Sequence, residues 1–584
     1  MHFEMIDWAL LGGYFAVTVT IGLYYSRRAG SSTSEFFLSG RNLPWWLAGT
    51  SMVATTFAAD TPLAVTELVA SDGIAGNWLW WNMAFGGMFT VFFFARLWRR
   101  AGVMTDVEFI EIRYSGKPAA FLRGFRALYL GVFLNCVIMG WVNLAIASIL
   151  QGLFGIPAET VLWYVAIAMI ITAVYSAASG LWGVAVTDVF QFVIAMAGTV
   201  ALTIVLLDLP EVGGIAGLRD RLPEATFRLL PVIGDDLGPA NAFAITVSAF
   251  LAYIVIQWWA SWYPGSEPGG GGYVAQRMMS AKDERHSLFA TLWFTVAHYC
   301  LRPWPWIIAA LATLVLYPDL PEAEKKLGYV YAMRDHLPPG LLGLLVAAFL
   351  AAYMSTIATH LNWGTSYVVN DFYRRFVRRS EGERHYVLVS RIATAVVMGI
   401  SLLVTAHMET ISGAWAFIIE AGAGLGLVLI LRWYWWRVNA WSEIAAMIAP
   451  FIAYGFVRFA TEIRFPESLF VIVGFTTVVW LAVTLATRPT DEKTLVAFYE
   501  RIHPGGFWKR IANKVPEVQG DTGLTGLFFN WAAGVVLVYT TLFGTGRLIF
   551  GAPLEAAGFY AVALGAGYII YRDLSKRGWG VVGE

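Results

Sequence analysis

The chain has 584 residues, of which 58% are hydrophobic and only 14% are charged, whereas a soluble domain is usually about 25% charged. Its 40 basic residues equal its 40 acidic residues, so we expect no nucleic-acid partner. Apolar stretches of roughly 20 residues recur along the whole length. This pattern predicts an all-α protein that crosses the lipid bilayer many times.

In chain order, the hydropathy pattern predicts about 15 transmembrane helices. We place them at residues 5–25, 46–70, 74–97, 122–151, 158–178, 183–207, 240–262, 287–316, 339–372, 385–406, 411–434, 441–460, 467–487, 524–550 and 556–571. Lysine and arginine concentrate in alternate loops, beginning with Arg27-Arg28. By the positive-inside rule the N-terminus lies outside and the C-terminus in the cytoplasm. We expect a bacterial inner membrane.

Two of these helices contain residues that interrupt a regular helix. Helix 46–70 carries Asp60, Thr61 and a proline at mid-membrane depth, and helix 240–262 closes in the proline- and glycine-rich run 257–273. Prolines remove backbone donors and glycines favour open backbone. Broken helix is tolerated in a bilayer only where it is buried in protein or lines a wet cavity.

Two interrupted helices, five helices apart, indicate an inverted repeat with a binding site at its interface. We expect five-plus-five helices with extra flanking helices. The predicted segments are an N-terminal helix and loop (1–45), a first repeat (46–207), an outer loop (208–239), a second repeat (240–437), two peripheral helices (438–487), a cytoplasmic linker (488–523) and two last helices with a short tail (524–584).

Helix 339–372 carries a cluster of hydroxyl side chains. Ser355 and Thr359 lie one turn apart on one face, and Thr356 adjoins them. Hydroxyls and free main-chain carbonyls together suit a small cation. The alternative is that these hydroxyls bond back to their own helix, as serine and threonine commonly do.

Ionisable residues inside membrane segments are functional candidates by default. Asp188 has either such a role or a structural pairing. Arg302 either meets an anionic group of a substrate or neutralises Glu267 or Asp60. His298 and His360 are expected to be interior histidines rather than proton relays.

Aromatic side chains complete the predicted cavity. Trp258, Trp259 and Trp262 either stack on a ring of the solute or serve only in packing. The substrate cavity predicted from these residues comprises Asp60, Thr61, Trp258, Trp259, Trp262, Glu267 and Arg302.

Four stretches resemble the sodium/solute symporter family, which includes sodium–glucose, sodium–galactose and sodium–proline carriers. They are residues 40–51, 179–191 and 273–277, and helix 339–372 with its Asn370-Asp371-Phe372-Tyr373 end. The resemblance extends to about residue 437. It implies a five-plus-five inverted-repeat core with alternating access.

The resemblance also implies a sodium site. Its ligands would be the carbonyls of Ala54, Phe57 and Ala352 and the hydroxyls of Ser355 and Thr356. A possible second sodium site would use Asp188 and Thr359, although Ala358 stands where a further hydroxyl is expected.

The substrate is not carried over from the resemblance. The resemblance adds Trp80 to the predicted substrate cavity, at the position where sugar carriers place an acidic ligand, and Thr61 stands where they place an amide.

The sequence therefore predicts sodium-driven uptake of a small polar solute, which could be a sugar, an amino acid or an organic acid. One alternative keeps the fold but couples transport to protons through Asp188, Asp60 or His360. Another is a solute-sensing receptor, disfavoured by the short tail after residue 571. Enzymatic activity is not expected, because the sequence shows no metal-ligand spacing or nucleophile elbow.

Overall fold

The computed structural model describes residues 3–29, 35, 38–103, 105–233, 244–321, 324–521 and 523–577. The α-helices are Met5–Ala29, Trp45–Thr55, Asp60–Asp72, Trp78–Trp81, Ala84–Phe89, Ala95–Ala101, Phe109–Arg113, Gly116–Leu128, Asn135–Phe154, Ala158–Asp208, Gly214–Arg221, Val247–Leu251, Trp258–Ala260, Gly272–Ser280, Glu284–Val296, Pro303–Leu316, Leu327–His336, Leu341–Ser366, Glu383–Ala406, Ile411–Ala421, Leu425–Tyr434, Ala440–Ala460, Ser468–Ala486, Glu492–Ile502, Lys509–Ala512, Leu524–Ile549 and Pro553–Arg577.

Shorter regular elements join these helices. π-Helical turns span Thr90–Phe94, Tyr129–Leu134, Ala252–Gln257, Ala297–Leu301 and Tyr367–Val377, and 3-10 turns span Ser39–Arg41, Ile74–Asn77 and Glu224–Phe227. Two short strands, Val232–Ile233 and Ala244–Ile245, pair in parallel in the loop that precedes the second interrupted helix. The described part of the chain is therefore mostly helical, as predicted.

In the described part of the chain, 11 helices are long and apolar enough to cross a membrane, and a bent pair raises the number to 12. The protein is thus an integral membrane protein, and its all-α polytopic class is confirmed. The predicted number of about 15 transmembrane helices is not confirmed. Two predicted helices, 158–178 and 183–207, form one continuous helix, Ala158–Asp208. No proline interrupts this stretch, and its residues 181–208 meet the length and hydropathy of a span.

The first predicted interruption divides helix 46–70 into two helices, Trp45–Thr55 and Asp60–Asp72. The second predicted helix, 240–262, begins at Val247 rather than near residue 240, although residues 240–243 lie outside the described part. Its last helical residue is Ala260, and helix resumes only at Gly272.

A third interruption was not predicted. Helix 411–434, expected to be continuous, is two helices bent by 49° around residues 422–424. Gly424 has a φ of +91°, a conformation that L side chains rarely adopt. A Cβ on Gly424 would also lie 2.5 Å from the Cβ of Thr476 on a neighbouring helix.

The second and third interruptions contact each other directly. The Trp262 amide donates to the Gly422 carbonyl at 3.2 Å, and the Gly424 amide donates to the Ala260 carbonyl at 2.9 Å. Each break thereby satisfies backbone groups that the other leaves free, as burial in a membrane requires.

The predicted linker 488–523 contains two helices, Glu492–Ile502 and Lys509–Ala512. Arg100 fastens it to the core, donating to the Ile502 carbonyl at 2.7 Å and pairing with Glu284 at 2.9 Å. The linker therefore packs against the ends of the core helices.

Candidate functional site

A cavity of about 70 Å³ lies where the first interruption faces the second. Its lining residues are Thr55, Thr56, Ala58, Asp60, Thr61, Trp80, Met83, Ile138, Trp141, Val142, Tyr263, Pro264, Ser266, Tyr273, His298, Tyr299, Arg302, Thr356, His360 and Trp415. Mostly apolar and aromatic walls with a few converging polar groups are typical of a small-molecule site.

The first interruption has a local cause in the sequence. Pro62 has no backbone N–H, so the Ala58 carbonyl cannot receive the usual helical hydrogen bond from it. The Thr61 amide reaches the Ala58 carbonyl instead, at 3.3 Å. Residues 56–59 consequently run without regular helix beside the cavity.

The polar end of the cavity contains Arg302 and Asp60, both buried. Arg302 Nη1 donates to the Thr56 hydroxyl at 3.1 Å, and Nη2 lies 3.3 Å from a ring nitrogen of His298. Among the described residues, Arg302 Nε and Asp60 Oδ1 have no hydrogen-bond partner. A buried polar atom without a partner is costly, so this end of the cavity is suited to a ligand that supplies one.

The Arg302 guanidinium also lies over the Trp306 ring, 5.2 Å from its centroid. Within the described residues, no carboxylate comes within 4.0 Å of Arg302 to form a salt bridge. One of the two roles predicted for Arg302 was to neutralise Glu267 or Asp60. Among the described residues, Arg302 forms no close ion pair with either carboxylate.

Aromatic pairs form the walls. Trp80 stacks on Tyr299 with centroids 5.8 Å apart, and Trp141 stacks on Tyr263 at 6.3 Å. Trp415 meets Tyr263 edge-on at 6.1 Å. Of these, only Trp80 was among the predicted cavity residues. Tyr263 directly follows a predicted tryptophan in the interrupted run, whereas the other three have no local signal and reach the cavity through packing.

The three tryptophans predicted from the second interruption lie outside this lining. Trp258 stacks on Trp531 at 5.4 Å, and its indole donates to the Ile254 carbonyl. The Trp259 indole donates to the Val255 carbonyl. Trp262 is buried beside the 422–424 break. Their contacts correspond to the packing role, which was the alternative for these residues.

Glu267 also lies apart from the cavity. It lines a separate small pocket of about 10 Å³ with Gly265, Ser266 and Gly270. A Cβ on Gly271 would lie 1.7 Å from a Glu267 carboxylate oxygen. The glycines of the run therefore make room for this carboxylate.

The residues of the implied sodium site lie on two elements in contact, the end of helix Trp45–Thr55 and helix Leu341–Ser366. Thr356 is buried, lines the cavity, and donates its hydroxyl to the Ala352 carbonyl at 2.9 Å. The Ala54 carbonyl accepts the Phe57 amide at 3.0 Å. Oxygens engaged in this way keep a further lone pair for a cation.

Ser355, the remaining member of that set, donates to Asp188 at 2.9 Å, and Ser51 donates to the same carboxylate at 2.6 Å. An Arg277 nitrogen lies 3.8 Å from Asp188. Thr359 is half-buried one turn beyond Ser355. Asp188 thus has the structural pairing that was its alternative role, and it sits beside the hydroxyl cluster.

His360 lies at the cavity with its Nδ1 2.7 Å from the Asn135 side-chain oxygen. The Asn135 amide in turn donates to the His360 carbonyl at 2.8 Å. This reciprocal pairing is that of an interior histidine with a fixed partner.

Comparison with known proteins places these features in a family. The sequence profile of the sodium:solute symporter family matches residues 36–449. The chain is 26% identical over 495 residues to a sodium/mannose cotransporter of Bos taurus, covering 79% of this chain and 80% of that protein. It is 26% identical over 519 residues to a sodium/glucose cotransporter of Vibrio parahaemolyticus, covering 84% and 92%.

A solved structure has the same fold. It is a Na⁺-coupled sialic acid symporter in a substrate-bound outward-open state, and it matches with a TM-score of 0.65 at 20% identity, over 84% of this chain and 99% of that one. The five-plus-five inverted-repeat class is therefore confirmed. Because the family profile spans well over half of the sequence, the chain belongs to the sodium:solute symporter family.

Proposed function

We propose that this protein is a secondary active transporter that couples the inward movement of sodium to the uptake of a small polar organic solute by alternating access. The observation that carries the proposal is the cavity between two interrupted helices, with Thr356 on its wall. Relatives that share most of the chain are named sodium/glucose and sodium/mannose cotransporters. The same relationship supports transport without chemical change of the solute.

For the sodium site we propose the carbonyls of Ala54, Phe57 and Ala352 with the hydroxyls of Ser355 and Thr356. Neutral hard oxygens suit a small cation, and the contact between two helices makes occupancy sensitive to their relative position. Sodium bound there would favour one arrangement of the two helices. By linkage, sodium then raises the affinity for solute by the same factor by which solute raises the affinity for sodium.

A second sodium at Asp188 and Thr359 is not part of the proposal. The Arg277 guanidinium already supplies a positive charge 3.8 Å from that carboxylate. A further cation would meet repulsion from it. We propose that Asp188 instead positions Ser355, to which it is hydrogen-bonded.

For the solute we propose that Arg302, Asp60 and Thr61 provide the polar contacts and that Trp80 provides an aromatic wall. Arg302 has no carboxylate within salt-bridge distance among the described residues. A solute with an anionic or zwitterionic group would supply one. We further propose the topology expected from the arginine distribution, with the N-terminus outside a bacterial inner membrane and the C-terminus in the cytoplasm.

The test is uptake by proteoliposomes containing the purified protein. Labelled hexoses, acidic sugars, amino acids and organic acids are offered under an inward sodium gradient, with choline replacing sodium in the matched sample. We expect accumulation of one solute class only with sodium, increased by an inside-negative potential, which favours sodium influx by about 2.3 kcal/mol per 100 mV.

Collapse of the sodium gradient with an ionophore should abolish accumulation. Uptake that is equal in choline and driven by an inward proton gradient would favour the proton-coupled alternative. Binding without uptake in any gradient would favour a sensing role.

A further inference from the structure

A second pocket, which shares no lining residue with the solute cavity, lies at the π-helical turn Tyr367–Val377 that follows helix Leu341–Ser366. It has a volume of about 390 Å³ and is lined by Arg123, Arg374, Arg375, Arg379, Asn370 and Phe376. The transport mechanism uses none of these residues. We propose that this arginine pocket binds the phosphate headgroup of an anionic phospholipid.

The pocket lining is positively charged. Four arginines line it, Arg123, Arg374, Arg375 and Arg379, and no carboxylate is among its described lining residues. This lining favours an anion.

Ion pairs hold part of the pocket wall in place. Arg123 Nε donates to Asp371 at 2.7 Å, and Glu111 accepts from both Arg123 and Arg375 at 2.5 Å each. These contacts tie three elements together around the pocket. Arg123 and Arg375 are therefore structural members of the site.

Arg379 is held differently. Its Nε donates to the Arg375 carbonyl at 2.8 Å, and in the described part of the chain no carboxylate lies within 4.0 Å of its guanidinium. Arg374 stacks over the Tyr386 ring at 4.8 Å. Arg379 thus offers a charge to a ligand without breaking an ion pair.

Apolar side chains at the edge of the pocket select a lipid over a soluble anion. Phe376 lines the pocket and is 41% exposed, while its neighbour Val377 is 54% exposed. Phe121, next to the lining residue Ala120, is 52% exposed. A ligand with a phosphate and acyl chains satisfies both halves of this surface. Basic pockets between transmembrane helices on the cytoplasmic side bind such headgroups.

The experiment measures thermal unfolding and lipid retention by native mass spectrometry of the purified full chain in detergent. Phosphatidylglycerol, phosphatidylcholine and inorganic phosphate are added separately. The variants are the double substitution Arg374→Gln/Arg379→Gln and the control Arg510→Gln, which removes an exposed arginine that stacks on Trp436 outside the pocket. We expect phosphatidylglycerol to raise the unfolding temperature of the wild type and control only.

The double variant should bind phosphatidylglycerol roughly 30-fold more weakly, because each arginine at an anionic headgroup contributes about a fivefold factor. If the double variant has a lower unfolding temperature than the wild type even in phosphatidylcholine, the single variant Arg379→Gln replaces it in the comparison of phosphatidylglycerol binding. That substitution breaks no ion pair among the described residues. Equal binding by that variant and the control would overturn the proposal. So would an equal effect of inorganic phosphate, which would indicate a soluble anion, or of phosphatidylcholine.

Discussion

Substitution of Thr356 by alanine tests the proposed sodium site most directly. The side chain is only 3% exposed and donates its hydroxyl to the Ala352 carbonyl. Removing the hydroxyl deletes one proposed sodium ligand and one hydrogen bond within the helix. The substitution therefore affects both sodium affinity and stability, and the two effects have to be separated.

Two measurements separate them, because stability is read from the melting temperature and sodium affinity from the sodium dependence of uptake. The internal hydrogen bond and a buried methyl group contribute about 1–2 kcal/mol to folding. A contact to a charged group contributes about 1.5–3 kcal/mol, which corresponds to roughly a 10- to 150-fold change in affinity. We expect the sodium concentration for half-maximal uptake to rise by that factor in Thr356→Ala, with a modest fall in melting temperature.

Thr313→Ala is the matched control. Thr313 is also buried on a membrane helix and donates to a carbonyl of its own helix at 2.7 Å, but it lies outside the sodium set. It should reproduce the loss of stability while leaving the sodium dependence of proteoliposome uptake unchanged. Thr356→Ser, which keeps the hydroxyl, should retain most of the sodium affinity. If Thr356→Ala and Thr313→Ala have the same sodium dependence, the proposed site is wrong.

Three further outcomes follow from the structure. Arg302→Gln should weaken uptake of an anionic or zwitterionic solute by 10-fold or more, about the effect of one lost charged contact, while Arg302→Lys retains part of it; equal transport by both variants would contradict the solute proposal. Asp188→Asn should destabilise the protein by about 3–5 kcal/mol, because it leaves the Arg277 charge buried without its partner. The double variant Asp188→Asn/Arg277→Gln should then melt at a higher temperature than Asp188→Asn alone, and an equal or lower melting temperature would refute this explanation. Gly424→Ala should lower the melting temperature, because φ is +91° and the added Cβ would lie 2.5 Å from the Cβ of Thr476; the expected loss of stability is about 1–3 kcal/mol. Gly399→Ala, whose added Cβ meets nothing within 4 Å, should leave the melting temperature unchanged.

Local chemistry predicted the features that depend on neighbouring residues in the chain. Pro62 removes a backbone donor, so the first interruption could be located from the sequence. Prolines and glycines located the second in the same way. Ser355 and Thr359 lie one turn apart on one helix, and helical periodicity alone places them on the same face. Hydrophobic runs likewise established the membrane class.

The break at residues 422–424 was missed because glycine pairs are tolerated in many membrane helices. There the decisive contact is with Trp262 of another interrupted helix, and that partner is distant in sequence.

The sequence by itself determined that this is a polytopic helical protein with interrupted helices and a hydroxyl cluster, since periodicity, proline and glycine act over a few residues. Only the tertiary structure decided which side chains enclose the cavity. Three separate helical segments contribute Trp141, Tyr299 and Trp415 to the cavity lining. The tryptophans of the second interruption, Trp258, Trp259 and Trp262, instead make packing contacts. The physical reason is that a cavity is formed by surfaces that meet across the fold, and the orientation of each helix depends on all the helices against which it packs.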